Sequence, residues 1–260
     1  MSITRQPQTM KPLLKLFFVL MPFIADSQGN KSHASPIVVD SIAIPPVNRE
    51  WTVPEFVWVF ERIVSLQNTD SLDVISIDNN KEFFAKLTEI RNYPFFMSKE
   101  FALKDRLASA IALLEPVKMI FRNYFQKSKI VAGKLSFDRE IAAFWELIFG
   151  MTQMLTELAD EFVKTNPNLS QIQLGGLEKM IKGFTTMEAG GLITLESEYA
   201  LYSEPALCQI ASSFSSFYSF MYLRIDEDSR SDFDARMAKM MESHPVECVR
   251  NALKAKYKNK

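Results

Sequence analysis

Between Phe137 and Val163 the chain reads FDREIAAFWELIFGMTQMLTELADEFV, and Phe137, Ile141, Phe144, Ile148, Met151, Leu155, Leu158 and Phe162 follow one another at alternating steps of four and three. One face of an α-helix repeats in this way. Trp145, Leu147 and Phe149 widen the apolar face, yet Asp138, Arg139, Glu140, Glu146, Glu157, Asp160 and Glu161 interrupt the stretch too often for a lipid-embedded span. A long helix with so broad an apolar face has to be covered by other helices, which excludes most sheet-based architectures at once.

The covering helices are visible on either side. Leu103, Leu107, Ala110, Leu114, Val117, Phe121 and Tyr124 repeat the same four-three rhythm in a helix expected to open at Ser98, with a kink near Ala112 to Pro116 from the interior proline. Gly133 and Ser136 separate it from the central helix, which ends at Asn166-Pro167. A third long helix is expected to follow Gly175-Gly176 and reach about Glu198, and a fourth to open after Ser203, with Glu204 and Pro205 in its first turn, and to reach Ile225. The run Asp226 to Ser231 is read as a break. Shorter helices are expected at 52–66, 80–91, 233–242 and 246–257. The fold class is therefore all-α: an antiparallel bundle of four long helices, from about Lys99 to Ile225, with shorter flanking helices at both ends. Residues 51–258 form a single helical domain after an extended lead-in at 28–50, where Ile37 to Ile44 is a candidate strand to pair with Leu72 to Ile77.

The N-terminus has the order of an export signal: basic Lys11 and Lys15, the apolar run LFFVLMPFIA from Leu16 to Ala25, then small residues that place cleavage after Ser27. Residues 1–27 are read as a signal peptide, more compact if translation starts at Met10, which places the mature chain in a periplasm or outside the cell. The apolar run is about half the ~20 residues of a spanning helix, so no transmembrane span is expected once the signal is removed. With 30 basic against 31 acidic residues there is no strong field to attract nucleic acid. The only two cysteines, Cys208 and Cys248, are candidates for a disulfide in an exported chain, two buried free thiols being the alternative.

Chemistry-bearing motifs are sparse. The two histidines, His33 and His244, lie outside the long helices, so the Glu-x-x-His pairs of a carboxylate-bridged metal bundle are absent. No G-x-S-x-G, phosphate-binding glycine loop or Cys-x-x-Cys occurs, and no cofactor is expected. Glu146, Glu157, Asp160 and Glu161 fall off the apolar stripe and read as solvated. Three functional classes follow. The first is an exported, non-enzymatic binding or structural protein with a protein partner; the second is a carrier holding an apolar small molecule among Met151, Met154, Phe184, Met187 and Phe217; the third is a hydrolase that gathers His244 with a serine and a carboxylate. Gly176, Gly183 and Gly190 recur every seven residues. Gly183, Gly190 and Gly191 are expected to admit a neighbouring element at close range, the alternatives being a helix break at Gly190-Gly191 or a ligand groove. Asn30 and Asn168 stand in N-glycosylation triplets.

Overall fold

A computed structural model of the chain describes residues 45–67, 76–78 and 80–257, and these are all-α, with eight helices. In chain order they are α1 (Val53–Gln67), α2 (Lys81–Thr88), α3 (Leu103–Lys127), α4 (Asp138–Thr165), α5 (Gln171–Ser197), α6 (Glu204–Met221), α7 (Glu227–Ser243) and α8 (Glu247–Tyr257). The export signal, the Asn30 triplet, His33 and the candidate strand at 37–44 lie outside the described residues, as does most of its partner at 72–77, of which Ser76 and Ile77 lead into a turn.

Helix α4 is the organising element, packed against α3, α6, α5 and α2. Ile141, Phe144, Ile148, Met151 and Leu155 have no exposed surface, and neither has Leu147, because partners cover α4 from more than one side. Cross-contacts fix the directions. Tyr124 meets Phe137 at one end of α3 (ring centroids 5.6 Å) and Arg106 pairs with Glu161 at the other (3.4 Å), so α3 and α4 are antiparallel. Thr152 meets the Met187 sulfur (3.8 Å) while Phe149 lies at Gly191, so α5 also opposes α4. Gln209 donates to Glu146 (2.7 Å) and Arg224 to Asp160 (2.6 Å), so α6 runs with α4. Outside this centre α1 packs on α3, with Phe56 stacked on Tyr93 (4.2 Å), and α8 packs on α6, where the Ser215 hydroxyl donates to the Ala252 carbonyl (3.0 Å).

Several helix boundaries differ from the sequence reading, each for a local reason. α3 opens at Leu103 with Ala102 as its N-cap; Ser98 instead accepts from the Glu100 amide (3.3 Å) in the preceding turn, where Phe101 packs on Phe95 (4.0 Å). α5 opens at Gln171 through a capping box in which Ser170 accepts from the Gln173 amide (3.3 Å) and Gln173 accepts from the Ser170 amide (3.0 Å). These bonds satisfy orphan donors at the helix start, so Gly175-Gly176 lie inside the helix instead of opening it. The break expected over Asp226 to Ser231 lies earlier: α6 ends at Met221 instead of Ile225, a single 3-10 turn takes 222–224, and after extended Ile225 Asp226 caps α7 by accepting from the Ser229 amide (2.9 Å), so 227–231 are helical. Between α3 and α4 the chain forms a small hairpin, Ile130–Val131 with Lys134–Leu135, turned by Ala132 (φ 49°) and Gly133 (φ 81°). Two consecutive positive φ angles are what a tight two-residue hairpin turn demands.

Candidate functional site

Two departures from an ordinary helical surface are an open groove and a line of buried polar groups along α5. The groove, about 570 Å³, lies between α2, the first half of α4 and the start of α6. Its floor is apolar, from Phe84, Ala143 and Ala206, and its rim is charged, from Arg91, Arg139 and Glu146. Most of the rim is already engaged: Arg91 pairs with Glu89, Arg139 pairs with Asp78, and Glu146 accepts from Gln209 (2.7 Å). Lys81, exposed and also in the lining, adds a cation to a rim whose other charges are paired.

The first turn of α4 braces this region. Asp138 and Glu140 interrupt the apolar run of α4, yet both are buried. Asp138 accepts the Ser203 amide (2.6 Å) and Glu140 accepts the Ile77 amide (2.8 Å), so each carboxylate at the helix start ties down a distant segment. Burial raises the Glu140 carboxyl above its ordinary range, opposed by the Ile77 bond. The hairpin joins the same brace: the Lys134 ammonium donates to the carbonyls of Ala200 (2.9 Å) and Tyr202 (2.7 Å).

Along α5 the polar groups are poorly satisfied. Glu188 has no exposed surface and neither carboxyl oxygen has a hydrogen-bond partner in the protein. With no compensating contact, burial pushes its carboxyl up to about 9. It faces Tyr218 of α6, whose hydroxyl donates to Asp234 (2.8 Å), the same carboxylate that accepts from Tyr222 (3.1 Å). The Tyr218 phenol is raised well above its usual value, first by burial and then by the Asp234 bond. One end of α5 repeats the pattern. Burial lifts Glu198 to about 7, and its carboxyl lies beside the Tyr202 phenol, itself raised by burial and then by Glu198. Thr194, Glu198 and Tyr202 each leave a buried oxygen without a hydrogen bond of ordinary geometry.

Glu188 is marked in the sequence by its spacing. Phe184, Glu188, Leu192 and Leu195 step by four, four and three, so the acid occupies a stripe position of a core helix. A charge there is the exception that calls for explanation. Glu198 and Tyr202 carry no comparable signal, since their environment is created by the meeting of α4, α5 and the hairpin.

The candidates drawn from the sequence are placed as follows. His244 is buried, its Nε2 bonded to the Leu195 carbonyl (2.9 Å) and its Nδ1 accepting the Val246 amide (3.1 Å). Both ring nitrogens are thus committed to backbone, with the proton on Nε2, and neither is left to act as a base on a serine. Met151, Met154, Phe184, Met187 and Phe217 lie in the continuous apolar core, Phe217 stacked on Phe149 (4.9 Å), and none of them lines the groove. Helix α5 runs unbroken through Gly183, Gly190 and Gly191. A Cβ at Gly190 would meet the Trp145 ring at 3.2 Å, and one at Gly191 would meet Phe214 at 2.8 Å and Phe149 at 2.9 Å. Gly183 is half-buried, and Gly176 faces open space, so the seven-residue repeat is not one continuous groove. Cys208 and Cys248 stand at disulfide distance, Cα atoms 5.5 Å apart, and join α6 to α8. Glu157 and Glu161 are exposed, Asp160 is partly covered beside Arg224, and Asn168 is exposed in the turn between α4 and α5. Among the described residues no helix is long and apolar enough to cross a membrane. No known protein family model, curated protein or solved structure matches the chain.

Proposed function

We propose that the chain is an exported, non-enzymatic binding or structural protein, and that its binding surface is the groove between α2, α4 and α6. The observation behind the binding reading is the groove itself, with an apolar floor under a rim whose charges are largely paired. That composition suits a protein segment, whose apolar side chains fill the floor while its backbone meets the polar rim. The commitment of both His244 nitrogens to backbone supports a non-enzymatic role. Export is supported by the ordered basic, apolar and small-residue elements of residues 1–27 and by a cysteine pair placed for a disulfide.

Two measurements test this reading. N-terminal sequencing of the protein from its native source is expected to begin at Gln28 in an extracytoplasmic fraction, and an intact Met1 or Met10 on cytoplasmic protein would end the export reading. A photo-crosslinking side chain at Ala143, on the groove floor, is expected to capture a defined partner that the same probe at exposed Glu242 does not. Equal capture at both positions would remove the groove from consideration.

A further inference from the structure

We propose that the chain's own segment Ile37-Val38-Val39-Asp40 docks in the groove between α2, α4 and α6, as a tethered internal ligand that a partner has to displace. The inference rests on the reading of the groove as a binding surface for a protein segment, and adds what regulates that surface. Ile37 to Ile44 (IVVDSIAI) carries one charge in eight residues, Asp40. The groove is its complement. Its floor is apolar, from Phe84, Ala143 and Ala206, and on its rim Arg91 and Arg139 are held by Glu89 and Asp78 while exposed Lys81 forms no ion pair among the described residues. In an extended segment Ile37 and Val39 share one face and Asp40 lies on the other, so two β-branched side chains meet the floor while the carboxylate turns to the rim.

The tether has the length this requires. The described residues begin at half-buried Pro45, and the Pro46 carbonyl accepts from the Trp51 indole (3.0 Å). Trp51 lies on α2, against Phe83 (ring centroids 6.1 Å) and under the Lys86 ammonium (6.0 Å). With about 3.6 residues per turn, Phe83 and Lys86 face away from Lys81, Phe84, Ala85 and Thr88, which line the groove. From Pro45 the segment therefore passes half-way round a helix about 10 to 12 Å across, a path of roughly 17 Å. Residues 41–45, at about 3.3 Å each, cover that path and bring Asp40 to Lys81.

The short tether also selects this occupant over a second copy. A segment held one helix-width from its site has an effective concentration in the millimolar range, far above that of another chain in dilute solution. The Asp40–Lys81 pair fixes register more than affinity, since an exposed ion pair contributes little and the apolar floor supplies the rest. A partner then binds only the fraction of chains whose groove is free, and its apparent affinity falls in proportion.

The test uses the purified full chain with no partner present and a photo-crosslinking side chain at Ala85, half-buried in the groove lining. Irradiation is expected to join that position to residues 37–40 of the same chain, read by peptide mass spectrometry, in a yield independent of protein concentration. The same probe at exposed Glu242 is expected to capture no such peptide. Asp40→Lys and Lys81→Glu should each lower the ratio of docked to free segment by about two- to fivefold, the scale of an exposed ion pair, and the two together should restore it. Ile37→Asp with Val39→Asp should remove the link. Links between two chains that grow with concentration would assign the groove to a second copy and overturn the proposal. Capture of another stretch, equal capture at Glu242, or a double reversal that fails to restore the yield would overturn it as well. A missing link in the isolated chain leaves the partner test at Ala143 standing, so the tethered segment and the groove can fail separately.

Discussion

Replacing Glu188 with glutamine will flatten the dependence of folding stability on pH between about 5 and 8. Glu188 is fully buried, makes no hydrogen bond, and is raised from the ordinary carboxyl value of about 4.5 to about 9 by burial. Its folded value lies above its unfolded one, so the folded state holds a proton that the unfolded chain has already released. Below about 4.5 both states are protonated and the residue costs nothing electrostatically; above it, stability falls by about 1.4 kcal/mol per pH unit until the folded carboxyl itself ionises. From pH 5 to pH 8 the accumulated loss is about 4 kcal/mol, a large share of the roughly 5 to 15 kcal/mol that stabilises a domain.

Glutamine keeps the shape and puts a neutral amide where the carboxyl stood, with no proton to release. Urea or guanidinium unfolding of both proteins at a series of pH values isolates the term, because Glu140 and Glu198 titrate in parent and variant alike and cancel in the difference. The advantage of Glu188→Gln is expected to grow by about 4 kcal/mol from pH 5 to pH 8. Glu188→Leu adds a second reading: at about pH 3.5, where both states hold the proton, it removes an unpartnered polar group and should gain about 1 to 3 kcal/mol if leucine fits. A difference between parent and Glu188→Gln that stays flat across this range, to within about 1 kcal/mol, would show that Glu188 is solvated or paired in solution.

Three further outcomes follow from the geometry. Gly191→Ala should lower the denaturant midpoint, at a cost of about 1 to 3 kcal/mol, because its methyl falls under 3 Å from Phe214 and Phe149, whereas Gly176→Ala should raise it by about 0.5 to 1 kcal/mol in open space; a raised midpoint for Gly191→Ala refutes the close approach. Cys208→Ser should lose about 4 kcal/mol on the loop-entropy model for a link spanning 40 residues, and non-reducing peptide mapping that recovers two free thiols would refute the bond. Ala132→Asn should stabilise by about 0.5 to 1 kcal/mol, since Ala132 holds a left-handed conformation (φ 49°) that asparagine tolerates better, and an unchanged thermal midpoint would count against the turn.

The parts of this fold that were legible in the sequence are those decided by one physical term. α4 could be read because its four-three rhythm reports burial alone, and the same term made α3 and the all-α class readable. Where two terms compete, the sequence pattern does not show which wins. At Gly175-Gly176 the helix cost of glycine is outweighed by the capping box at Ser170 and Gln173, whose paired bonds start the helix upstream of both glycines. At Asp226 a polar run that suggests a break hides a helix start, since an acid whose side chain accepts the amide three residues on is the ordinary way to begin a helix. The groove was not legible at all, because Phe84, Ala143 and Ala206 belong to three helices and none is unusual within its own. Glu188 lies between these cases. Its stripe position shows that it is buried, but whether a buried acid is paired depends on what α6 and α7 bring to meet it, and here Tyr218 turns its hydroxyl to Asp234 and leaves Glu188 without a donor. A single helix can thus announce that it buries a charge, and only the packed partners decide whether that charge is retained as an ion or as a neutral acid.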